Sequence, residues 1–160
     1  MASSIQFFEN LMSPKKEIRE NAEKDLEKLK LMPIAQTINI FKEGIESSNE
    51  NVSQLSALLL KKTYLEQEEK RKELSQAEAQ LLKDLVKSQI NFQGRSWKTL
   101  QRLGDILSYV YRILSLSQGI SEIMVWFSDQ NLSISRKFGI YLIEVLCEIG
   151  ALKEDSLDEN

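Results

Sequence analysis

Histidine is absent from these 160 residues, cysteine occurs once, at Cys147, and proline only twice, at Pro14 and Pro33. Without imidazole there is no Ser-His or Cys-His nucleophile system, no histidine base and no histidine metal ligand. A single cysteine excludes an intrachain disulfide and leaves a thiolate metal site without its second sulfur, so a reducing compartment is the natural setting. Beside Val145 and Leu146, Cys147 reads as a small buried apolar residue rather than a reactive thiol. The glycines at 44, 94, 104, 119, 139 and 150 never fall into a phosphate-cradling spacing. Glu66, Glu68 and Glu69 read as a solvated run, not an acid pair. The expectation is a chain that is not an enzyme and takes no cofactor or metal.

Long apolar runs are missing too: no segment approaches the roughly 18 apolar residues of a membrane span. MASSIQFFENLM has no basic leading region and is interrupted by Glu9 and Asn10, which argues against a secretory signal. Strand signals are nearly absent, with no Asn-Gly or Asp-Gly hairpin and no sustained alternation. The 21 Lys and Arg against 24 Asp and Glu give a net charge of −3. That balance offers no global attraction to nucleic acid or an anionic membrane.

What the chain does have is helical periodicity, organised in pairs. Ile5, Phe8 and Met12 step by 3 and 4; Ser13-Pro14 then caps and opens a second helix on which Ile18, Ala22, Leu26 and Leu29 share a face. With the two phenylalanines adjacent, one of Phe7 and Phe8 faces inward and the other is left as a docking spot. Pro33 opens a third helix with Ile34, Ile38, Phe41 and Ile45 on one side. Its partner follows SSNEN and carries Val52, Leu55 and Leu59. Residues 66–73 read as a solvated connector or frayed helix end.

Ser75 and Glu78 form an S-x-x-E capping box before Leu81, Leu82, Leu85, Val86 and Ile90. After FQGRS, Leu100, Leu103, Leu107, Val110 and Leu114 step by 3, 4, 3 and 4, a stripe too short for a coiled coil and suited to a layered core. The last pair has Ile120, Ile123, Met124 and Phe127, then Ile134, Phe138, Leu142, Val145 and Ile149. Trp97, Trp126, Tyr109, Tyr111 and Tyr141 lie within these stripes as packing residues. Second helices begin near 14, 51, 96 and 132, spacings of 37, 45 and 36 residues. These fall among helical-hairpin repeat periods of roughly 34 to 47. The fold class is all-α, and eight helices in four like pairs suit a right-handed α-solenoid better than a closed bundle.

The segments IRENAEKDLEKLK (18–30), SQLSALLLKKTYL (53–65) and LQRLGDILSYVYRI (100–113), in this order and at these separations, resemble the N-terminal HEAT repeats of the importin-beta (karyopherin-beta) superfamily, with an importin-five flavour. There are departures: Ser53 stands where the family often has Arg, Ser56 where it often has Ala, and Ile120-Ser121-Glu122-Ile123 replaces a common Trp-Pro-Glu-Leu, with Trp126 displaced. The resemblance implies that residues 3–150 are a HEAT-repeat domain and that 151–160 are a disordered acidic tail.

It further implies a nuclear transport receptor of cytoplasm and nucleus that binds Ran-GTP along its inner, second helices. Cargo proteins and nucleoporins would be held by repeats absent from this chain. The positions matching the Ran-facing ones are Lys61, Lys62, Arg102 and Asp105, while Arg19, Gln54 and Arg136 match positions that contact either the next repeat or the partner. For Asp105 an ion pair with Arg102 or a neighbouring helix stands beside the functional role, and for Lys61 and Lys62 a solvated helix end complementing the macrodipole. The alternative is a HEAT or armadillo-type scaffold subunit unrelated to transport.

Overall fold

A computed structural model describes residues 3–150; the expected acidic tail at 151–160 lies outside the described residues. The fold is all-α, with no strand among the described residues. The chain divides into two compact units, Met1–Leu74 and Ser75–Asn160.

In the first unit, α1 (Ser4–Leu11) and α2 (Lys16–Leu29) form one hairpin, α3 (Ile34–Ile45) and α4 (Glu50–Leu60) a second. A π-helical turn, Lys61–Leu65, continues α4, and the short α5 (Glu68–Lys72) follows. The connector expected at 66–73 thus contains a helical turn, and Arg71 ties it back by donating to the Leu65 carbonyl at 2.7 Å. The Ser13-Pro14 cap is displaced: the Ser13 hydroxyl accepts from the Lys15 amide, but regular helix begins at Lys16. Helix ends commonly fray by such a margin. Asn49, within the SSNEN break, caps α4 by accepting from the amides of Asn51 and Val52.

The helix that packs against both members of the other hairpin here is α1, the first of its pair. Phe8 is wholly buried and its ring begins an aromatic series with Phe41 and Tyr64, at centroid separations of 6.1 and 6.0 Å. A methyl group on Gly44 would run into Ser56 and Phe8, so the absent side chain is what lets α3 close on α4 and α1. Ile5, Met12 and Ile18, placed by periodicity on buried faces, instead stay 37–40% exposed. They sit at stripe ends, where no helix of the unit covers them.

The second unit holds α6 (Gln76–Gln89), α7 (Trp97–Leu114), α8 (Leu116–Phe127) and α9 (Ser133–Glu148). The Ser75–Glu78 capping box is formed in both directions. Ser96 caps α7, and Ser115 alone separates α7 from α8 while capping the latter. Here the central helix is α7, the second of its pair: it packs on α6, α8 and α9, and Leu103 through Tyr111 are buried without interruption. Gly119 brings α8 so close to Tyr111 that a Cβ would lie 2.5 Å from the ring. Leu81, expected in the core stripe, is 57% exposed because it flanks rather than faces α7's side of the helix. Cys147 is exposed, not buried as its apolar neighbours suggested, since Val145 and Leu146 turn inward and it does not.

Candidate functional site

Lys61 and Lys62 occupy the π-helical turn in which the Glu66 amide reaches back five residues to the Lys61 carbonyl at 2.9 Å. Such turns recur at functional sites because they rotate the following side chains off the ordinary helical register. Lys62 is exposed and makes no ion pair among the described residues, whereas Lys61 is half-buried. Directly after them Thr63 is buried with its hydroxyl unpartnered, and Tyr64 is fixed by bonds to Thr37 (2.6 Å) and the Met32 carbonyl (2.9 Å). The basic pair therefore sits on a firmly anchored turn.

Arg102 and Asp105 lie one turn apart on α7, with Arg102 Nη1 at 4.0 Å from Asp105 Oδ2. Asp105 is only 8% exposed and accepts a 2.6 Å hydrogen bond from the Tyr141 hydroxyl of α9. Burial, then that bond and the carboxylate's charge, push the Tyr141 hydroxyl's pKa well above its usual value. Trp97 packs edge-on against Tyr141 at 5.9 Å, and Lys137 lies over the Trp97 ring at 4.2 Å. Along the α7/α9 seam run Lys137, Trp97, Tyr141, Asp105 and Arg102, an alternation of cations, rings and one carboxylate. Trp97, Tyr141 and Arg102 are partly open to solvent, so the seam offers stacking and hydrogen-bonding edges to a folded protein.

The remaining predicted positions are dispersed. Arg19 reaches the Ser13 carbonyl at 3.1 Å and Glu23 at 3.8 Å, so it pins the α1–α2 turn. Gln54 is half-buried on α4. Arg136 is exposed in the first turn of α9 and makes no ion pair among the described residues. Lys61, Lys62, Arg19 and Gln54 belong to the first unit, Arg102, Asp105 and Arg136 to the second.

Two features escaped the sequence. In the second unit, Lys83 and Lys87 of α6 both reach Glu122 Oε1 of α8, at 3.0 and 3.2 Å. The Tyr111 hydroxyl and Glu122 Oε2 are both buried without a well-aligned hydrogen bond, yet they lie near enough to act on each other. Burial, reinforced by Glu122, raises Tyr111 far above its usual range. Burial alone would raise Glu122 as well, but Tyr111, Lys83 and Lys87 together outweigh it and hold the carboxyl below its usual value. The Lys83/Lys87 spacing of four was the available signal, with Glu122 set among apolar neighbours.

In the first unit a cavity of about 310 Å³ opens between α1, α2 and α3, lined by Ser4, Phe7, Leu29, Met32 and Ile40 with Asp25 and Lys28. Phe7 is thus the less buried of the two phenylalanines and lines an opening, while Phe8 fills the core. Among the described residues no group of three or more Cys, Asp or Glu is placed to hold a metal ion, and no helix is long and apolar enough to cross a membrane. No family model, curated protein or solved structure matches the chain.

Proposed function

We propose that this chain is a protein-binding helical-repeat segment of a nuclear transport receptor of the importin-beta type, its hairpins stacked as a right-handed solenoid, and that its second helices bind Ran in the GTP state. One observation carries the reading: the three segments that bear the resemblance fall on α2, on α4 with its π-helical turn, and on α7, the second helix of three successive hairpins. A repeat array commonly presents one helix of each pair as an extended surface for a folded partner. Lys61, Lys62, Arg102 and the exposed edge of the α7/α9 seam are then the contacts.

The test is a titration of the 160-residue chain with Ran loaded with a nonhydrolysable GTP analogue or with GDP. Binding is expected only in the GTP state, and Lys61→Glu with Lys62→Glu is expected to weaken it by at least about tenfold. Absence of nucleotide-dependent binding, or indifference to the double substitution in a variant with unchanged circular dichroism, sinks the reading.

A HEAT or armadillo-type scaffold role is the second reading, favoured by how the departing residues are used. Ser53 donates to the Ile45 carbonyl and Ser56 to the Val52 carbonyl, each at 2.7 Å, while Asp105, a matching position, is taken up by Tyr141. Recovery from cell extract of a stable heteromeric complex free of Ran and nucleoporins would favour it.

A further inference from the structure

The α8/α9 hairpin keeps large apolar side chains in water. On α8, Ile120, Met124 and Phe127 recur at steps of 4 and 3 and are 38–44% exposed. Elsewhere around that helix Gly119 faces Tyr111 and Glu122 faces α6, while the buried Ile123 lies one turn from both Ile120 and Phe127. On α9, Tyr141 and Leu142 turn toward Gly104 of α7, whereas Arg136, Ile140, Ile143 and Cys147 step by 4, 3 and 4 along a different stripe. The α9 stripe therefore looks away from α7, and the α8 stripe flanks the side on which Gly139 meets α8. At about 200 Å² per large side chain, Ile120, Met124, Phe127 and the 45%-exposed Ile140 offer roughly 350 Å² of apolar surface. Each side of a standard interface buries about 800 Å², so these four residues supply somewhat under half of one side and the polar residues around them the rest.

The charges on α9 say what fits. Arg136 and Glu144 are both exposed and lie four residues either side of Ile140. At 100° per residue Ile140 is also midway between them around the helix. An antiparallel copy of α9 crossing at Ile140 therefore sets Arg136 of one chain against Glu144 of the other, twice over by symmetry.

We propose that this outward face of the α8/α9 hairpin is self-complementary and docks a second copy of the same chain about a two-fold axis at Ile140. The inference does not rest on Ran binding; it needs neither nucleotide nor partner. It also gives Cys147 a setting, since the exposed thiol lies on the stripe that the second copy covers.

Sedimentation equilibrium of the full chain across the micromolar range is expected to show a monomer–dimer equilibrium, with Cys147 labelling by a maleimide slowing as concentration rises. Arg136→Glu or Glu144→Arg alone should weaken the dimer by roughly tenfold, and the two together should restore it to within about threefold. Ile140→Asp should abolish it. A monomer at every concentration overturns the proposal and leaves the face to a different helical partner. A dimer unmoved by the single reversals overturns it as well. Should Ile140→Asp fail to fold, the charge reversals decide, because both positions are exposed.

Discussion

The two units are built from similar hairpins and both bury hydroxyls, but they differ in where they place charge. In the first the buried polar contacts are neutral: Thr37 with Tyr64, Ser53 on the Ile45 carbonyl, Ser56 on the Val52 carbonyl. Its ion pairs Lys16–Glu20, Arg19–Glu23 and Lys42–Glu46 each lie along a single helix, where such pairs add only a few tenths of a kcal/mol. The second unit sends charge across helices, with Lys83 and Lys87 meeting Glu122 and Tyr141 meeting Asp105. Buried charges hold geometry well when paired and cost heavily when one partner is removed. Both units bury hydroxyls, as Ser108 on the Gly104 carbonyl shows for the second, but the second adds charge that crosses between helices, and the two should differ in how they fail.

The apolar contribution should not differ, and the largest effects test that. Phe8 and Phe138 are both wholly buried; Phe8 touches Phe7 and Phe41, Phe138 touches Phe92 and Trp126. Truncation to alanine is expected to cost about 3–5 kcal/mol in each case. Hydrogen exchange of α3 and α4 amides reads the first variant, and of α7 and α9 amides the second. A much smaller loss at Phe138 would break the comparison, showing the second unit to be held chiefly by its charges.

The next effect separates the units directly. Tyr141→Phe leaves the buried Asp105 carboxylate without its 2.6 Å donor, and a hydrogen bond to a charged group is worth about 1.5–3 kcal/mol. Tyr64→Phe removes bonds to Thr37 and to the Met32 carbonyl, neutral contacts worth about 0.5–1.5 kcal/mol each. Per hydrogen bond removed, denaturant midpoints should fall further for Tyr141→Phe than for Tyr64→Phe. Equal shifts per bond would mean that charge adds nothing to the α7/α9 seam.

The helices were legible because apolar periodicity and end signals are local. Ser75 caps as its position announces, Pro33 immediately precedes α3, and the SSNEN and FQGRS breaks contain the caps Asn49 and Ser96. The division into units was not legible, since it depends on which helix of a pair becomes central: α1 in one unit, α7 in the other. Periodicity gives each helix a face without naming its neighbour. Cys147, Leu81 and Ile18 show the same limit, being apolar or nearly so at positions the packing leaves open. Among the candidate site residues, the Asp105–Arg102 pairing could be anticipated from their spacing on one helix, whereas the Tyr141 and Lys137 contacts come from α9 and Glu122's lysines from α6. Ser53 and Ser56 look like departures from a repeat pattern in sequence; in three dimensions they and Gly44 bring α4 against α3.

The smallest expected effect is the response to acid, and its sign follows from Glu122. Lys83, Lys87 and Tyr111 hold the folded carboxyl below its ordinary value of 4.5, despite the opposing push of burial. A lowered folded pKa means that the unfolded chain takes up the proton first. The stabilisation is thus fully present above pH 4.5 and drains away as pH falls through the folded value. With Glu122 still 27% exposed, screening keeps the contribution modest. Exchange of α6 and α8 amides, followed from neutral pH into acid, should show protection falling more steeply in the wild-type chain than in Glu122→Gln. Other carboxylates titrate in both chains and cancel in that difference. Identical acid profiles would remove Glu122 from the account of the second unit and bring its electrostatics level with the first.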